Sequence, residues 1–216
     1  MRSYAAEFIG AFFLVLTIGC TGIATGPGVI PPLAIGSVLM VMIYAGGHVS
    51  GAHYNPAVTL GVFIRGKLPV RDIAPYWVAQ IAGAIAAAAA VLFFKTGEPV
   101  SPFAAPLVPA FGAEFLFTFA LVYVVLNVAT APANAGNSYF GLAIGFTVLA
   151  GAFAVGDISG GAFNPAVAVG AMTMGMLPWG NLPLYLAAEL LGAAVAALAF
   201  KATNPSEAHR SAGLKP

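Results

Sequence analysis

The tripeptide Asn-Pro-Ala occurs twice in this chain, and no other feature of the sequence constrains the fold as strongly. The first copy is Asn55-Pro56-Ala57 and the second is Asn164-Pro165-Ala166, 109 residues later. Asparagine is a favoured N-cap, and proline is tolerated at the first helical position because its missing N–H would be unpaired there anyway. Each copy therefore predicts a short helix, one over residues 56–65 and one over residues 165–174.

These two helices are too short to cross a membrane. At about 1.5 Å per residue each is roughly 15 Å long, half the hydrocarbon thickness of a bilayer, which is about 30 Å. The composition indicates a bilayer, because 60% of the 216 residues are hydrophobic and 7% are charged, whereas soluble domains are about one quarter charged. Two half-helices that enter from opposite faces would meet at the midplane, with their asparagines and positive ends there.

Six further apolar segments approach the roughly 20 residues that a spanning helix needs. They lie at about 4–24, 32–48, 73–94, 110–130, 138–156 and 181–201. The predicted fold class is therefore an all-α membrane protein with six transmembrane helices and two re-entrant half-helices. Irregular backbone beside such half-helices is tolerated only where protein or a water-filled cavity encloses it.

The two halves of the chain repeat each other. Leu33-Ala34-Ile35-Gly36 returns as Leu142-Ala143-Ile144-Gly145 at an offset of 109, and Ala6-Glu7-Phe8 returns as Ala113-Glu114-Phe115 at an offset of 107. Because each half has three spans, the second half must be inverted in the membrane. Inverted repeats place a solute path at their interface, near the midplane.

This repeat predicts the domain organisation. We expect a single transmembrane domain over residues 1–201, built from inverted 3+3 repeats at about 1–97 and 107–201. Loop Ser101–Pro109 is the expected connector between the repeats, and residues 202–216 form a polar tail.

Basic residues predict the orientation. Arg65, Lys67 and Arg71 lie between the second and third spans, and further basic residues flank both termini, whereas Lys95 lies on the opposite side. The positive-inside rule therefore predicts cytoplasmic N- and C-termini. The N-terminus also has features of a signal peptide, but Glu7 interrupts its apolar run.

These features resemble the aquaporin, or major intrinsic protein, family, and the resemblance covers residues 4–201. Its most specific elements are Ser50-Gly51-x-His53-x-Asn55-Pro56-Ala57-Val58 and Ser159-Gly160-Gly161-x-x-Asn164-Pro165-Ala166. The resemblance implies a homotetramer in the lipid bilayer of the cell membrane, with one pore per subunit. It implies passive conduction of water and small neutral solutes, with no enzymatic activity and no cofactor. The net charge of +1 gives no reason to expect a nucleic-acid partner.

In such a pore, Asn55 and Asn164 are expected to have two functions. Their side-chain oxygens cap the half-helices, which leaves the NH₂ groups to donate to a permeating water. Two facing helix ends, each equivalent to about half an elementary charge, raise the energy of a cation or hydronium there. A water that accepts from both asparagines turns its own hydrogens outward and interrupts a proton wire, in keeping with aquaporin-type selectivity. The alternative is that both residues only cap their helices.

The stretches before the two boxes, Ser50–Tyr54 and Ser159–Phe163, are expected to be extended and to offer backbone carbonyls to the path. An apolar wall is expected to oppose these carbonyls and to hold water weakly, in single file. The residues predicted to form it are Ile35, Val58, Ile144 and Val167.

Glu7 and Glu114 place carboxylates inside predicted spans, which is costly and usually functional. We expect each to accept N–H groups from a re-entrant loop that lacks helical partners; a proton relay is the alternative. Gln80 and Glu189 admit the same anchoring role. His53 matches the loop histidine of the family and is expected to hold the loop, with gating as the alternative. No histidine has a spacing that suggests a metal site.

The chain departs from the family directly after the second box, where the usual arginine is replaced by Val167. Alignment on the boxes then gives Ile35, Ala152 and Gly161 as the other three positions of the family's selectivity filter. This small, apolar set predicts a wide outer mouth that passes glycerol, urea, ammonia or neutral metalloid acids along with water. Exclusion of protons would depend more on the central asparagines than in members that carry the arginine.

The main alternative function is an inverted-repeat secondary transporter for a small solute. It requires a coupling site, and Glu7, Glu114 and Glu189 are the candidates within the spans. Saturable, gradient-coupled uptake would indicate the transporter, and linear flux the channel. An intramembrane enzyme would need a nucleophile–base pair or a metal cluster, and none is apparent. Val167 alone does not distinguish this chain from the members of the family that conduct ammonia or ions.

Overall fold

The computed structural model describes residues 1–23 and 30–205. Within these residues the chain is helical and contains no β-strand, so the predicted all-α class is confirmed. The α-helices are α1 (Arg2–Gly22), α2 (Ile30–Ser50), α3 (Pro56–Ile64), α4 (Val70–Phe94), α5 (Leu107–Val125), α6 (Phe140–Ser159), α7 (Pro165–Thr173) and α8 (Leu182–Thr203). A π-helical turn, Leu126–Thr130, extends α5.

Six of these helices are long and apolar enough to cross a membrane, and two are not. The six are α1, α2, α4, α5, α6 and α8, whereas α3 and α7 have nine residues each. Nine residues rise about 14 Å, which is half of a bilayer's hydrocarbon core. The two half-helices that the Asn-Pro-Ala boxes predict are therefore present, each ending one residue earlier than expected.

The ends of several predicted segments shift in the structure. Helix α5 begins at Leu107, so the expected connector Ser101–Pro109 gives up its last three residues to the helix. Pro109 lies in the first helical turn, where a missing N–H leaves no hydrogen bond unmade. Helix α8 continues to Thr203, two residues into the expected tail, and residues 206–216 of that tail lie outside the described residues.

The helices pack as two interlocked copies of one arrangement. Helix α1 packs against α2 and α4, and α5 packs against α6 and α8, one repeat later. Each half-helix is docked mainly on the last span of the other half: α3 packs more extensively on α8 than on α4, and α7 more on α4 than on α8. The two half-helices also contact each other. The interface between the repeats therefore lies at the centre of the molecule.

Glycine allows the first and third spans of each half to pack with their backbones in contact. A Cβ atom added to Gly83 in α4 would lie 2.4 Å from the carbonyl oxygen of Phe8 in α1. The equivalent atom on Gly192 in α8 would lie 2.6 Å from the carbonyl oxygen of Phe115 in α5. Small residues at such crossings are typical of helix packing in membranes.

Candidate functional site

The two Asn-Pro-Ala boxes form matched N-termini of the half-helices. Asn55 is the N-cap of α3, and its Oδ1 accepts hydrogen bonds from the backbone N–H groups of Ala57 at 2.8 Å and Val58 at 3.4 Å. Asn164 is the N-cap of α7, and its Oδ1 accepts from the N–H of Ala166 at 2.9 Å. Both caps have extended backbone, and both helices have proline at the first position. Both asparagines therefore cap their half-helices, as the sequence predicts.

The asparagine side chains also tie the two loops together. The Nδ2 of Asn55 donates to the carbonyl oxygen of Phe163 at 2.9 Å, and the Nδ2 of Asn164 donates to that of Tyr54 at 2.9 Å. The tips of the two half-helices are thus joined by reciprocal hydrogen bonds. Since an amide NH₂ carries two hydrogens, each tie uses one of them. The expectation from the sequence was that both hydrogens of each amide would be free to donate to a permeating water.

The loops before the boxes are not extended as expected. Ala52 and Tyr54 have φ values of 51° and 52°, and Phe163 has a φ value of 51°. Gly51, Gly160 and Gly161 also lie in the left-handed region, which glycine adopts without steric cost. Left-handed backbone at non-glycine residues is unfavourable, so other contacts must hold these loops in place.

Glu7 provides those contacts for the first loop. Its carboxylate is fully buried, and Oε1 accepts hydrogen bonds from the Ser50 hydroxyl and the His53 N–H. Oε2 accepts from the N–H of Tyr54 at 2.6 Å and from Nε2 of Gln80 at 2.8 Å. Both oxygens are thus occupied by donors that hold the loop. The geometry is that of a loop anchor, as expected for Glu7.

His53 and Gln80 complete the anchoring of the first loop. His53 Nδ1 lies 3.1 Å from the hydroxyl oxygen of Thr59 in α3, and Gln80 Nε2 donates to the same oxygen at 3.0 Å. These contacts connect the loop, α3 and α4. His53 therefore holds the loop through its ring.

The second loop is held by two carboxyl groups. Glu114 accepts from the N–H groups of Ala162 at 3.0 Å and Phe163 at 2.6 Å, and Glu189 Oε1 accepts from that of Asn164 at 3.0 Å. Both carboxyl groups are fully buried, and the second oxygen of Glu189, Oε2, has no hydrogen-bond partner among the described residues.

One tyrosine holds the start of each loop, a role that the sequence alone did not assign. The Tyr76 hydroxyl donates to the carbonyl oxygen of Ser50 at 2.8 Å, and the Tyr185 hydroxyl donates to that of Ser159. Their 109-residue spacing was visible in the sequence and was a usable signal, because two tyrosines in register must make equivalent contacts in two equivalent halves.

A cavity of about 300 Å³ runs along the interface between the repeats. A single water needs roughly 10–15 Å³ by the same measure, so the cavity is large enough for a file of waters. Both box asparagines line it, and its polar side chains are His53, Tyr54, Asn55 and Asn164. The described residues that line it include no Asp, Glu, Lys or Arg. The cavity is therefore an apolar path with amide groups at its middle.

The structure brings the four expected filter positions to this one cavity. Ile35, Ala152, Gly161 and Val167 all line it. A Cβ atom added to Gly161 would lie 3.7 Å from the Cα of Ala152, so the second loop and α6 are in contact at this level. The expected apolar wall is there as well, since Val58 and Ile144 line the same cavity.

Further wall residues were missed by the sequence analysis. They are Leu14 and Ile18 of α1, Leu39 and Ile43 of α2, Leu121 and Val125 of α5, and Val148 of α6. The repeat register contained the signal. On α2, the known wall position Ile35 predicts Leu39 and Ile43, because residues four apart share a helix face. The 109-residue offset then predicts Val148.

Comparison with known proteins identifies the family. The family model described as Major intrinsic protein matches residues 1–200. The chain belongs to the major intrinsic protein family. Aquaporin NIP1-3 of Oryza sativa subsp. japonica is 39% identical in an alignment 207 residues long that covers 90% of this chain and 71% of that protein. Glycerol uptake facilitator protein-like 6 of Lactiplantibacillus plantarum is 37% identical over 91% of this chain and 95% of its own length.

The fold agrees with that assignment to the major intrinsic proteins. The crystal structure of the aquaglyceroporin from Plasmodium falciparum superposes with a TM-score of 0.82 at 23% identity, covering 96% of this chain and 98% of that one. As a major intrinsic protein, the chain is a passive transmembrane channel for water and small solutes, and the secondary transporter considered above is not favoured.

Proposed function

We propose that this channel conducts uncharged solutes larger than water, such as glycerol, urea, ammonia or neutral metalloid acids, together with water. This proposal is supported mainly by the side chains at the four filter positions, which line the path and carry no charge or hydrogen-bonding group. These positions are Ile35, Ala152, Gly161 and Val167. A wall of this kind does not compete with the hydration of an ion, so it favours neutral solutes. The glycerol uptake facilitator-like relative supports the same solute class.

Protons are excluded at the middle of the path in this proposal. Asn55 and Asn164 present amide hydrogens there, and α3 and α7 direct their positive ends to the same place. Val167 adds no positive charge of its own. The central asparagines and the two helix ends therefore supply the electrostatic barrier.

The proposed assembly is a homotetramer in the cell membrane with both termini in the cytoplasm. The tetramer is what membership in the family implies. The orientation follows from Arg65, Lys67 and Arg71, which lie on the same side as both termini. In this orientation α3 enters from the cytoplasm and α7 from the outside. The main cavity lies within one subunit.

Substitution of Val167 by arginine tests the wide outer mouth. A guanidinium at this buried position fills the path and binds water through its N–H groups. We expect V167R to lower glycerol permeability at least tenfold and water permeability much less, measured by stopped-flow light scattering in proteoliposomes. V167L is the matched control, because it adds bulk without charge. The proposal fails if the unmodified channel passes water and excludes both glycerol and arsenite.

A further inference from the structure

The repeat gives every wall residue of the path a counterpart at its other end. We define the outer ring as Ile35, Ala152, Gly161 and Val167. The 109-residue offset relates these, in the same order, to Ile144, Ile43, Ala52 and Val58. We define this second set as the inner ring. All eight residues line the same cavity, so the pseudo-twofold relation between the halves holds for the path as well as for the helices.

The two rings differ in bulk at two of their four positions. The isoleucines and the valines are matched, so those positions contribute equally. At the third pair, Ile43 of the inner ring has three more side-chain carbon atoms than Ala152 of the outer ring. At the fourth, Ala52 has one more than Gly161. In an arrangement that is otherwise equivalent, the inner ring must leave the smaller opening.

Exposure of the rings agrees with that difference. All four inner-ring residues are buried: Ile43 and Val58 are 3% exposed, Ile144 is 5% exposed and Ala52 is 7% exposed. In the outer ring only Val167 is buried, while the other three residues are partly accessible. The inner ring is thus the more deeply buried of the two.

The path is also divided on the inner side. A second cavity, lined by Ser50, Lys67 and Tyr76 among others, shares two residues with the main cavity, His53 and Val125. His53 and Val125 therefore lie where the two cavities adjoin, and His53 follows Ala52 of the inner ring directly in the sequence. At the outer end the repeat places Ala162 where the inner end has His53, and the main cavity continues to Phe103 and Met176.

We propose that the inner ring, with Ile43 as its decisive member, limits the size of the solutes that permeate. The outer ring, at the family's usual filter position, is then the wider of the two openings. This inference rests on the proposed conduction of solutes larger than water. It adds that Ile43, on the half of the path that the first loop forms, is the residue that determines specificity by size.

Reciprocal exchange at one repeat-related pair tests the inference. I43A removes the extra bulk from the inner ring, and A152I gives the outer ring the bulk that the inner ring already has. In proteoliposomes of the full chain we expect I43A to raise the glycerol-to-water permeability ratio severalfold. A152I makes the outer ring as narrow as the inner ring but no narrower, so it should change that ratio much less than I43A does. Urea, which is smaller than glycerol, should show the same order with smaller changes.

The opposite pattern overturns the inference. If A152I changes the ratio as much as I43A does or more, or if I43A retains water permeability but leaves the ratio unchanged, the inner ring does not limit the solute. Water permeability reports that each variant has folded. Should I43A fail to reconstitute, I43V removes one methylene instead and must raise the ratio in the same direction; no rise with I43V also overturns it.

The experiment separates this inference from the proposed solute class. If the unmodified channel excludes glycerol, the proposed class is wrong. I43A then still decides between the rings, because it admits glycerol when the inner ring is the barrier. If I43A does not admit it, the inference is wrong as well.

Discussion

Single residues explain why the two loops of this channel are anchored differently. Glu7 fills all of its hydrogen bonds with donors, one of which is the Gln80 amide. At the position equivalent to Gln80, the second half has Glu189, a carboxyl group in place of an amide. Glu189 accepts a hydrogen bond from the N–H of Asn164, the cap residue that reaches the path. Two carboxyl groups thus hold the second loop, whereas one carboxyl group and one amide hold the first.

Substitution of Glu189 should separate the hydrogen bonds of this residue from its charge. In E189Q the side-chain oxygen can still accept from the N–H of Asn164, and the side chain becomes the amide that the first half has at Gln80. We expect thermal stability and flux close to those of the unmodified chain. E189L leaves the buried Asn164 N–H without an acceptor, which costs roughly 1–3 kcal/mol. Thermal unfolding in detergent measures both variants.

E98Q is the control for the loss of a negative charge, because Glu98 is an exposed loop residue. It should unfold at the temperature of the unmodified chain. An E189Q protein as unstable as E189L would show that the second loop requires a carboxyl group rather than a donor and an acceptor.

At the scale of the elements, the crossing of α1 with α4 depends on the absence of a side chain at Gly83. Its added Cβ would meet a backbone oxygen, which cannot rotate away as a flexible side chain does. The two helices would have to separate. The first loop would then lose its position, because Glu7 on α1 and Gln80 on α4 hold it together.

We therefore expect G83A to destabilise the protein by about 1–3 kcal/mol, the usual cost of overpacking. G112A is the matched control, since Gly112 is also a helical glycine and, apart from its own turn of helix, no atom of the described residues lies within 4 Å of its added Cβ. Alanine favours helix at both sites, so G112A should be neutral or stabilising. Equal melting temperatures of G83A and G112A would contradict the close helix crossing.

The half-helices could be predicted from the sequence, whereas the loops that precede them could not. Half-helix positions followed from Asn-Pro capping, because that signal is local and depends on two adjacent residue types. The loops before them did not follow. Tyr54 and Phe163 are left-handed, and Glu7 and Glu114 hold their N–H groups from distant helices, which no local residue type signals. The tie from each asparagine to the opposite loop was equally hidden, since it joins residues about a hundred positions apart.

At the scale of the whole molecule, the cavity predicts how flux depends on concentration. The described residues that line it include no charged side chain to which a coupling ion would bind. The hydrogen bonds between Asn55, Asn164 and the opposite loops join the two halves at the centre, so a rocking motion would have to break them. A fixed path gives passive flux.

Glycerol uptake into proteoliposomes should therefore rise linearly with concentration, without saturation over the millimolar range. Dissipating a proton or sodium gradient should leave the rate unchanged. Liposomes without protein give the background. Saturable uptake that follows an ion gradient would contradict this and indicate the transporter instead.

The repeat was the strongest sequence signal at this scale. It predicted the inverted halves and, through its register, wall residues on both sides of the path. It did not predict that Ile43 and Ala152 break the equivalence of the two ends, because that comparison requires knowing that both residues face the same cavity. Composition and periodicity describe one helix at a time, whereas the path is shared by both halves.

The docking of each half-helix on the last span of the other half has a consequence for how the chain is made. When the ribosome has completed α4, the segment that will cover one face of it, α7, does not yet exist, and α3 still lacks α8. The first half must therefore insert into the membrane before the helices that cover α3 and α4 have been made. The central packing of both halves is then complete only after α8, the last helix, has been inserted.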